Sequence, residues 1–159
     1  MELEIHNMAG HLIRRLHQIS ISVFQDHMRQ HGYDTTSVQF SALNALQKYP
    51  KIDQATLAGL IAYDRATIGG VIDRLEVKKF VKRTVSKRDR RAREVELTKE
   101  GLAALEAMKP IVLELQNEIL AGLEPDEREI FVSLAAKLAK NSNHLSRAPL
   151  TIPAKAERG

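Results

Sequence analysis

A helical hydrophobic period runs along most of this chain and is interrupted once, between Val81 and Thr98. From Leu3 to about Met28, apolar residues recur at Ile5, Met8, Leu12, Leu16, Ile19 and Val23. Those steps of three and four lay one stripe along a helix. Gly32 in "HGYD" supplies a stop, and Thr36 with Gln39 in "TTSVQFSALNALQKYP" fits a capping box that opens a second helix closed by Pro50. Asp53 can cap a short helix through Leu60, and Asp64 can cap another whose apolar face is Ile68, Val71, Ile72 and Leu75. Beyond the interruption, Thr98 caps a long helix carrying Leu105, Met108, Ile111, Val112, Leu115 and Ile119 on one face. Pro110 falls inside it, which predicts a kink or a break. Pro125 opens a last helix with Ile130, Phe131, Leu134 and Leu138, and the tail from Ser146, with Pro149 and Pro153, is expected to be disordered.

The interruption has a period of two. Val81, Arg83 and Val85 alternate with Lys82 and Thr84, and Val95 and Leu97 alternate with Glu94 and Glu96. Two short alternating runs around a charged loop predict a β-hairpin. The fold class is therefore mainly α: a winged helix-turn-helix with a small β-hairpin wing, flanked by N- and C-terminal helices. Residues 1–34 form an N-terminal dimerisation helix, 35–98 the winged unit, 99–145 the C-terminal dimerisation helices and 146–159 the tail. The end helices carry more apolar surface than so small a central unit can cover. Burying it against a second copy is the simplest solution, so a helical homodimer is expected.

With 159 residues and 43% hydrophobic content, the chain can build one core. It has no cysteine, which excludes disulfides, thiolate metal sites and thiol-based redox sensing. No apolar run approaches the roughly 20 residues that span a bilayer, and the start lacks a signal-peptide pattern. A soluble, cytoplasmic protein is expected. The net charge of +4 is unevenly spread: residues 64–93 hold eleven Lys or Arg against four acids, while the remainder is slightly acidic. A basic segment in an acidic setting points to a localised anionic partner, with nucleic acid foremost.

Two constellations suit double-stranded DNA. The helix after Asp64 exposes Arg65, Thr67, Gly69, Gly70 and Arg74 opposite its apolar face. A recognition helix needs that division, with an apolar back on the domain and short polar or cationic side chains toward base edges. Glycine costs about 1 kcal/mol in a helix interior, so Gly69 and Gly70 favour a reading in which the helix sits deep in a groove. Gln54, opening the short helix before it, joins the candidate contacts. The hairpin loop "SKRDRRAR" adds Lys87, Arg88, Asp89, Arg90 and Arg91. Asp89 is expected to fix the posture of Arg91 for a narrow, negative minor groove, the other cations contacting phosphates. A solvated face or a localisation signal are the plainer readings. A signal needs no flanking strands, and a solvated face mixes charge signs more evenly.

"DRATIGGVIDRLE" followed by "VKRTVSKRDRRAREVELTKEG" resembles the core signature of the MarR family of winged-helix regulators. The matching residues are Asp89 and Arg91, then Val95, Leu97 and Thr98, then Gly101, and the likeness extends from about residue 9 to 145. The resemblance implies a homodimer on a palindromic operator, with residues 64–78 in the major groove and the wings in adjacent minor grooves. It also implies release by a small aromatic or phenolic carboxylate bound between the dimerisation and DNA-binding parts. Three positions depart from the family pattern. Lys79 and Lys51 stand where glycines are common, and Gly70 stands where a base is common, which shifts expected base contacts toward Arg65, Thr67 and Arg74.

For the effector, Arg15 falls on the flank of the first helix's stripe, with His11 one turn before it and Phe40 on the next helix as a stacking face. Arg14 points nearly opposite, toward solvent. Arg15 could instead snorkel or pair across a dimer. His27 and His31 stand four apart as helical metal ligands can, but nothing else joins them, so no metal site and no cofactor are expected. The resulting reading is a dimeric DNA-binding transcriptional regulator, a repressor released by a small aromatic acid. The alternatives are an architectural DNA-binding protein that senses nothing, and a metal-responsive regulator. No nucleophile elbow or phosphate-binding glycine loop suggests an enzyme.

Overall fold

In a computed structural model that describes residues 1 and 3–154, a 3-10 turn at Glu4–Asn7 leads into helix α1, Ala9–Gln30. Gly32 ends this segment at a φ of 79°. Helix α2, Ser37–Lys48, starts on the capping box: Gln39 N–H donates to Thr36 Oγ1 at 3.1 Å, and Thr36 N–H donates to Gln39 Oε1 at 3.3 Å. A two-residue strand β1, Ile52–Asp53, precedes helix α3, Gln54–Leu60, whose N-cap Asp53 accepts from Thr56 N–H at 2.8 Å. Helix α4, Ile68–Val77, is the second helix of the turn. Strands β2, Val81–Val85, and β3, Arg93–Leu97, make the wing, and helices α5, Lys99–Ile119, and α6, Pro125–Asn141, complete the chain.

The hairpin pairs Val81 with Leu97 and Arg83 with Val95 in antiparallel register, and β1 adds a third strand through Ile52 opposite Val95. The sheet order β1-β3-β2 thus closes the wing's inner edge with a strand too short to show any period. Lys51, which precedes β1, and Lys79, which follows α4, adopt φ of 59° and 63°, the left-handed conformation expected where glycine is common. At Lys79 the turn is held by Phe80 N–H donating to the Leu75 carbonyl at 2.9 Å. Ala62 also adopts a positive φ of 51°, between α3 and α4.

Leu43, Leu46, Leu57, Ile72, Leu75, Val95, Leu105, Met108 and Leu115 are buried almost completely and form one core from α2, α3, α4, the sheet and α5. Gly101, in the first turn of α5, lies against the chain after α4, where a Cβ would come within 1.9 Å of the Phe80 carbonyl oxygen. Thr98 locks the same junction by donating to the Lys79 carbonyl at 2.6 Å and accepting from Gly101 N–H at 3.0 Å. These contacts explain physically why the wing's second strand ends in Leu-Thr with a glycine three residues on. Lys78 fastens the far end of α4 to the α1–α2 corner, 2.8 Å from Asp34 Oδ1 and 2.9 Å from Gln39 Oε1. The neighbouring ammonium holds the Asp34 carboxyl below the ordinary carboxylate value, chiefly through its hydrogen bond.

Three expectations need correction. Of the kink or break expected at Pro110, the break does not occur: helix α5 continues through Pro110, which lies on its exposed side between the buried Met108 and Ile111. Asp64 does not cap α4: its Oδ1 accepts from Ala66 N–H at 2.9 Å and shapes a turn over 65–67, so the helix starts four residues later. Residues 146–154, expected to be disordered, are folded back: Thr151 N–H donates to the Gly59 carbonyl at 2.9 Å. Residues 155–159 of that tail lie outside the described residues.

Candidate nucleic-acid interface

The apolar back of α4 is buried through Ile68, Val71, Ile72 and Leu75, and its outer side presents Gly70, Asp73, Arg74 and Val77. A Cβ at Gly70 would meet nothing within 4 Å, and one at Gly69 only Gln54 Nε2 at 3.9 Å. Packing within the chain therefore does not demand either glycine. What they do is keep the outer surface of α4 low and its backbone approachable. Thr67, the residue before α4, is exposed, and its hydroxyl donates to the Asp64 carbonyl at 3.3 Å.

Facing this helix is the wing, and between them lies a groove of about 460 Å³ lined by Asp53, Gln54, Arg65, Asp89, Arg91 and Arg93, among others. Four of the sequence-derived candidates, Gln54, Arg65, Asp89 and Arg91, thus meet in one place although they come from three separate elements. Lys87, Arg88 and Arg90 are exposed on the loop beyond the groove, and Arg74 is exposed on α4. The described ion pairs of the wing use other cations, Lys82 with Glu96 at 2.8 Å and Arg83 with Asp73 and Glu76. The loop cations are therefore available to an outside anion.

Asp89 does not orient Arg91 through its guanidinium. Its Oδ1 accepts from the Arg91 backbone N–H at 2.9 Å, an Asx turn that sets the path of the chain and so the direction in which the arginine leaves it. Ser86 supports the same loop from inside. Its hydroxyl accepts from Arg88 N–H at 3.2 Å and Asp89 N–H at 3.4 Å and donates to Glu94 at 3.1 Å. Sequence reasoning passed over Ser86, whose burial (6% exposed) follows only from the closed hairpin.

Arg83 is the larger omission. It counts in the sequence as one more wing cation, yet its side chain is 16% exposed and ties β2 to both helices of the turn. Its Nη1 donates to Gln54 Oε1 at 3.1 Å, its Nη2 to Asp73 and to Glu76 Oε1 at 3.1 Å, and its backbone N–H to Glu76 Oε2 at 3.2 Å. Burial opposes the charge, but the two carboxylates outweigh it and raise the guanidinium pKa; Arg83 in turn lowers that of Glu76. Gln54 is consequently held by its oxygen, with its amide nitrogen beside Gly69. The signal was in the alternation, which puts Arg83 on the inward side of β2 with Val81.

A family model described as MarR family matches residues 35–92. The transcriptional repressor NicR of Pseudomonas putida is 34% identical over 137 residues, covering 85% of this chain and 84% of that one. The chain belongs to the MarR family. As a MarR-family protein it is a transcriptional regulator with a winged-helix fold. Among solved structures, Bordetella bronchiseptica BpsR, described with the regulation of its DNA binding by 6-hydroxynicotinic acid, is 31% identical with a TM-score of 0.78, covering 87% of this chain and 98% of that one. The repressor CouR, solved on a 23-mer DNA duplex, is 26% identical with a TM-score of 0.76, covering 87% and 99%.

The three residues expected at an effector site are not gathered by one chain. Phe40 packs on Phe24 at 6.2 Å between ring centroids and borders a groove of about 700 Å³ with Ser41, Asn44, Lys48, Leu60, Ile61 and Leu150. No α1 residue lines that groove. His11 and Arg15 lie on α1 beside Arg14, which is exposed to solvent and runs along the helix surface, 3.4 Å from His11 Nδ1 and donating to Gln18 at 3.1 Å. The His27 and His31 rings are engaged separately, His27 with Glu118 of α5 and His31 Nδ1 with the His27 carbonyl at 2.8 Å. Among the described residues no helix is long and apolar enough to cross a membrane.

Proposed function

We propose that the protein is a homodimeric, sequence-specific repressor that binds a palindromic operator and is released by a small aromatic or phenolic carboxylate. The observation that carries the DNA reading is the groove that brings Gln54, Arg65, Asp89 and Arg91 together under an uncovered glycine surface. In it, α4 enters a major groove with Gln54, Arg65, Thr67 and Arg74 at base edges and phosphates. The wing reaches the adjacent minor groove with Arg91, while Lys87, Arg88 and Arg90 contact phosphate.

The dimer is supported by the ends of the chain. Leu12, Leu16 and Ile19 on α1 are 40% to 46% exposed, and α6 buries no residue at all. Such faces are covered by a symmetric copy, and two-fold symmetry in the protein demands two-fold symmetry in the operator. The acid effector is supported by a cluster on and before α1 in which the guanidinium groups of Arg14 and Arg15 stand near the His6 and His11 rings. Desolvation first, then Arg14, His6 and Arg15, hold the His11 imidazole below its ordinary value. An arriving carboxylate offsets that repulsion, and an aromatic acid has the further choice of stacking on Phe40 of a second copy. The reading is also supported by a relative, BpsR, whose structure is described with regulation of its DNA binding by 6-hydroxynicotinic acid.

Titrating the protein against its own upstream DNA and against scrambled DNA at about 0.15 M salt tests the reading, with specific binding tighter by about a thousandfold or more. Equal affinities overturn it in favour of an architectural role.

A further inference from the structure

The C-terminal segment that folds back is a built contact. At the end of α6, Asn143 grips the backbone of Leu150 twice, accepting from its N–H at 2.8 Å and donating to its carbonyl at 2.9 Å. One residue on, Thr151 N–H donates to the carbonyl of Gly59 in the last turn of α3. Gly59 is buried, and a Cβ there would come within 2.0 Å of Thr151 Oγ1, so the threonine occupies the space that the glycine leaves. Leu150 borders the groove beside Phe40, Leu60 and Ile61. The far end of the dimerisation arm is thereby fastened to the helix that carries Gln54.

We propose that residues 143–152 form a strap that fixes the angle between the dimerisation arm and the DNA-reading unit, and so the spacing of the two recognition helices in the dimer. The inference rests on the dimeric operator-binding reading above. Two units joined at the bases of α1 and α5 can still rock about those junctions; a further tether at α3, from the far end of α6, removes that freedom. A looser pair of recognition helices spends less of its time at half-site spacing, and operator affinity falls by the fraction of competent molecules lost.

Asn143→Ala and Thr151→Pro in the full-length chain each release the strap without touching the groove that faces DNA. Three measurements decide it: hydrogen exchange at the Thr151 amide, sedimentation for the dimer, and affinity for the chain's own upstream DNA. The expected result is a Thr151 amide protected in the wild type and released in Asn143→Ala, an intact dimer in both variants, and operator affinity weakened about fivefold or more. Unchanged affinity with the Thr151 amide released overturns the proposal, as does loss of the dimer in the same variants. A wild type that binds its upstream DNA but leaves the Thr151 amide unprotected overturns the strap alone. A wild type that does not bind that DNA overturns the regulator reading, and the strap's role with it.

Discussion

In the winged unit Leu57, Ile72, Leu75, Val81 and Val95 are each at most 2% exposed, whereas Ile130, Leu134 and Leu138 on α6 are 57% to 59% exposed. Both regions are amphipathic and both are regular, so the difference lies in what covers them. The middle of the chain closes its apolar surface on itself and leaves cations outward. The arms leave apolar residues outward, in two stripes rather than scattered singly, which is the pattern of a surface awaiting another molecule. Leu134→Glu sharpens that contrast most. A charge buried without a partner costs about 3–5 kcal/mol, which weakens dimerisation about a hundredfold or more at roughly 1.4 kcal/mol per decade. Sedimentation should show a monomer with the helical content of the wild type, and a dimer as tight as before would move the interface away from α6.

Within the middle unit the contrast is between cations that are used and cations that are free. Arg91→Ala removes a free one and is expected to weaken operator binding by about 1–3 kcal/mol with the dimer and the thermal midpoint unchanged. Equal operator binding by this variant removes Arg91 from the minor groove. Lys87→Ala should cost less and lower the salt slope of binding by about one. Arg83→Met removes a used cation. It strands Asp73 and Glu76 and frees Gln54, so unfolding stability should drop by roughly 1–2 kcal/mol, with operator affinity falling as a secondary effect. A variant as stable as the wild type would show that the wing is held by strand pairing alone.

The order of the helices, the caps at Thr36, Asp53 and Thr98 and the existence of the hairpin were readable because each rests on neighbours within a few residues. What escaped depends on distance. Ile52 and Asp53 show no period of their own and become a strand only by lying opposite Val95. Arg83 is a clamp because Asp73 and Glu76, ten and seven residues back, face it across the α4–β2 turn. Asp64 satisfied the rule for an N-cap but spent its carboxylate on Ala66, a competition between turn and helix that composition does not resolve. The tail carries two prolines and no stripe; its docking depends on Asn143 and on the bare backbone at Gly59. The effector residues were read from the faces of two separate helices, which could not reveal that the groove beside Phe40 is lined by no residue of α1.

The smallest expected effect separates the two regions by pH. Glu76 is held below its ordinary carboxyl value, first by the hydrogen bond from Arg83, and Asp34 likewise by that from Lys78. A carboxylate depressed in the folded state contributes stability above its unfolded pKa and loses it as pH falls through the folded one. The contribution is therefore complete at neutral pH and fades only once pH drops below the ordinary carboxylate range. Both carboxylates are exposed, so solvent screening keeps the effect modest. The apolar faces of α1 and α6 have no such dependence. Acidification should therefore free the Arg83 amide, which donates to Glu76, before it dissociates the dimer, as read by hydrogen exchange against sedimentation. In Glu76→Gln the Arg83 amide should lose that acid response while the arms behave as in the wild type. If the arms separate first, charge on the arms, such as that gained by His11 beside Arg14 and Arg15, governs the interface and the purely apolar account of it fails.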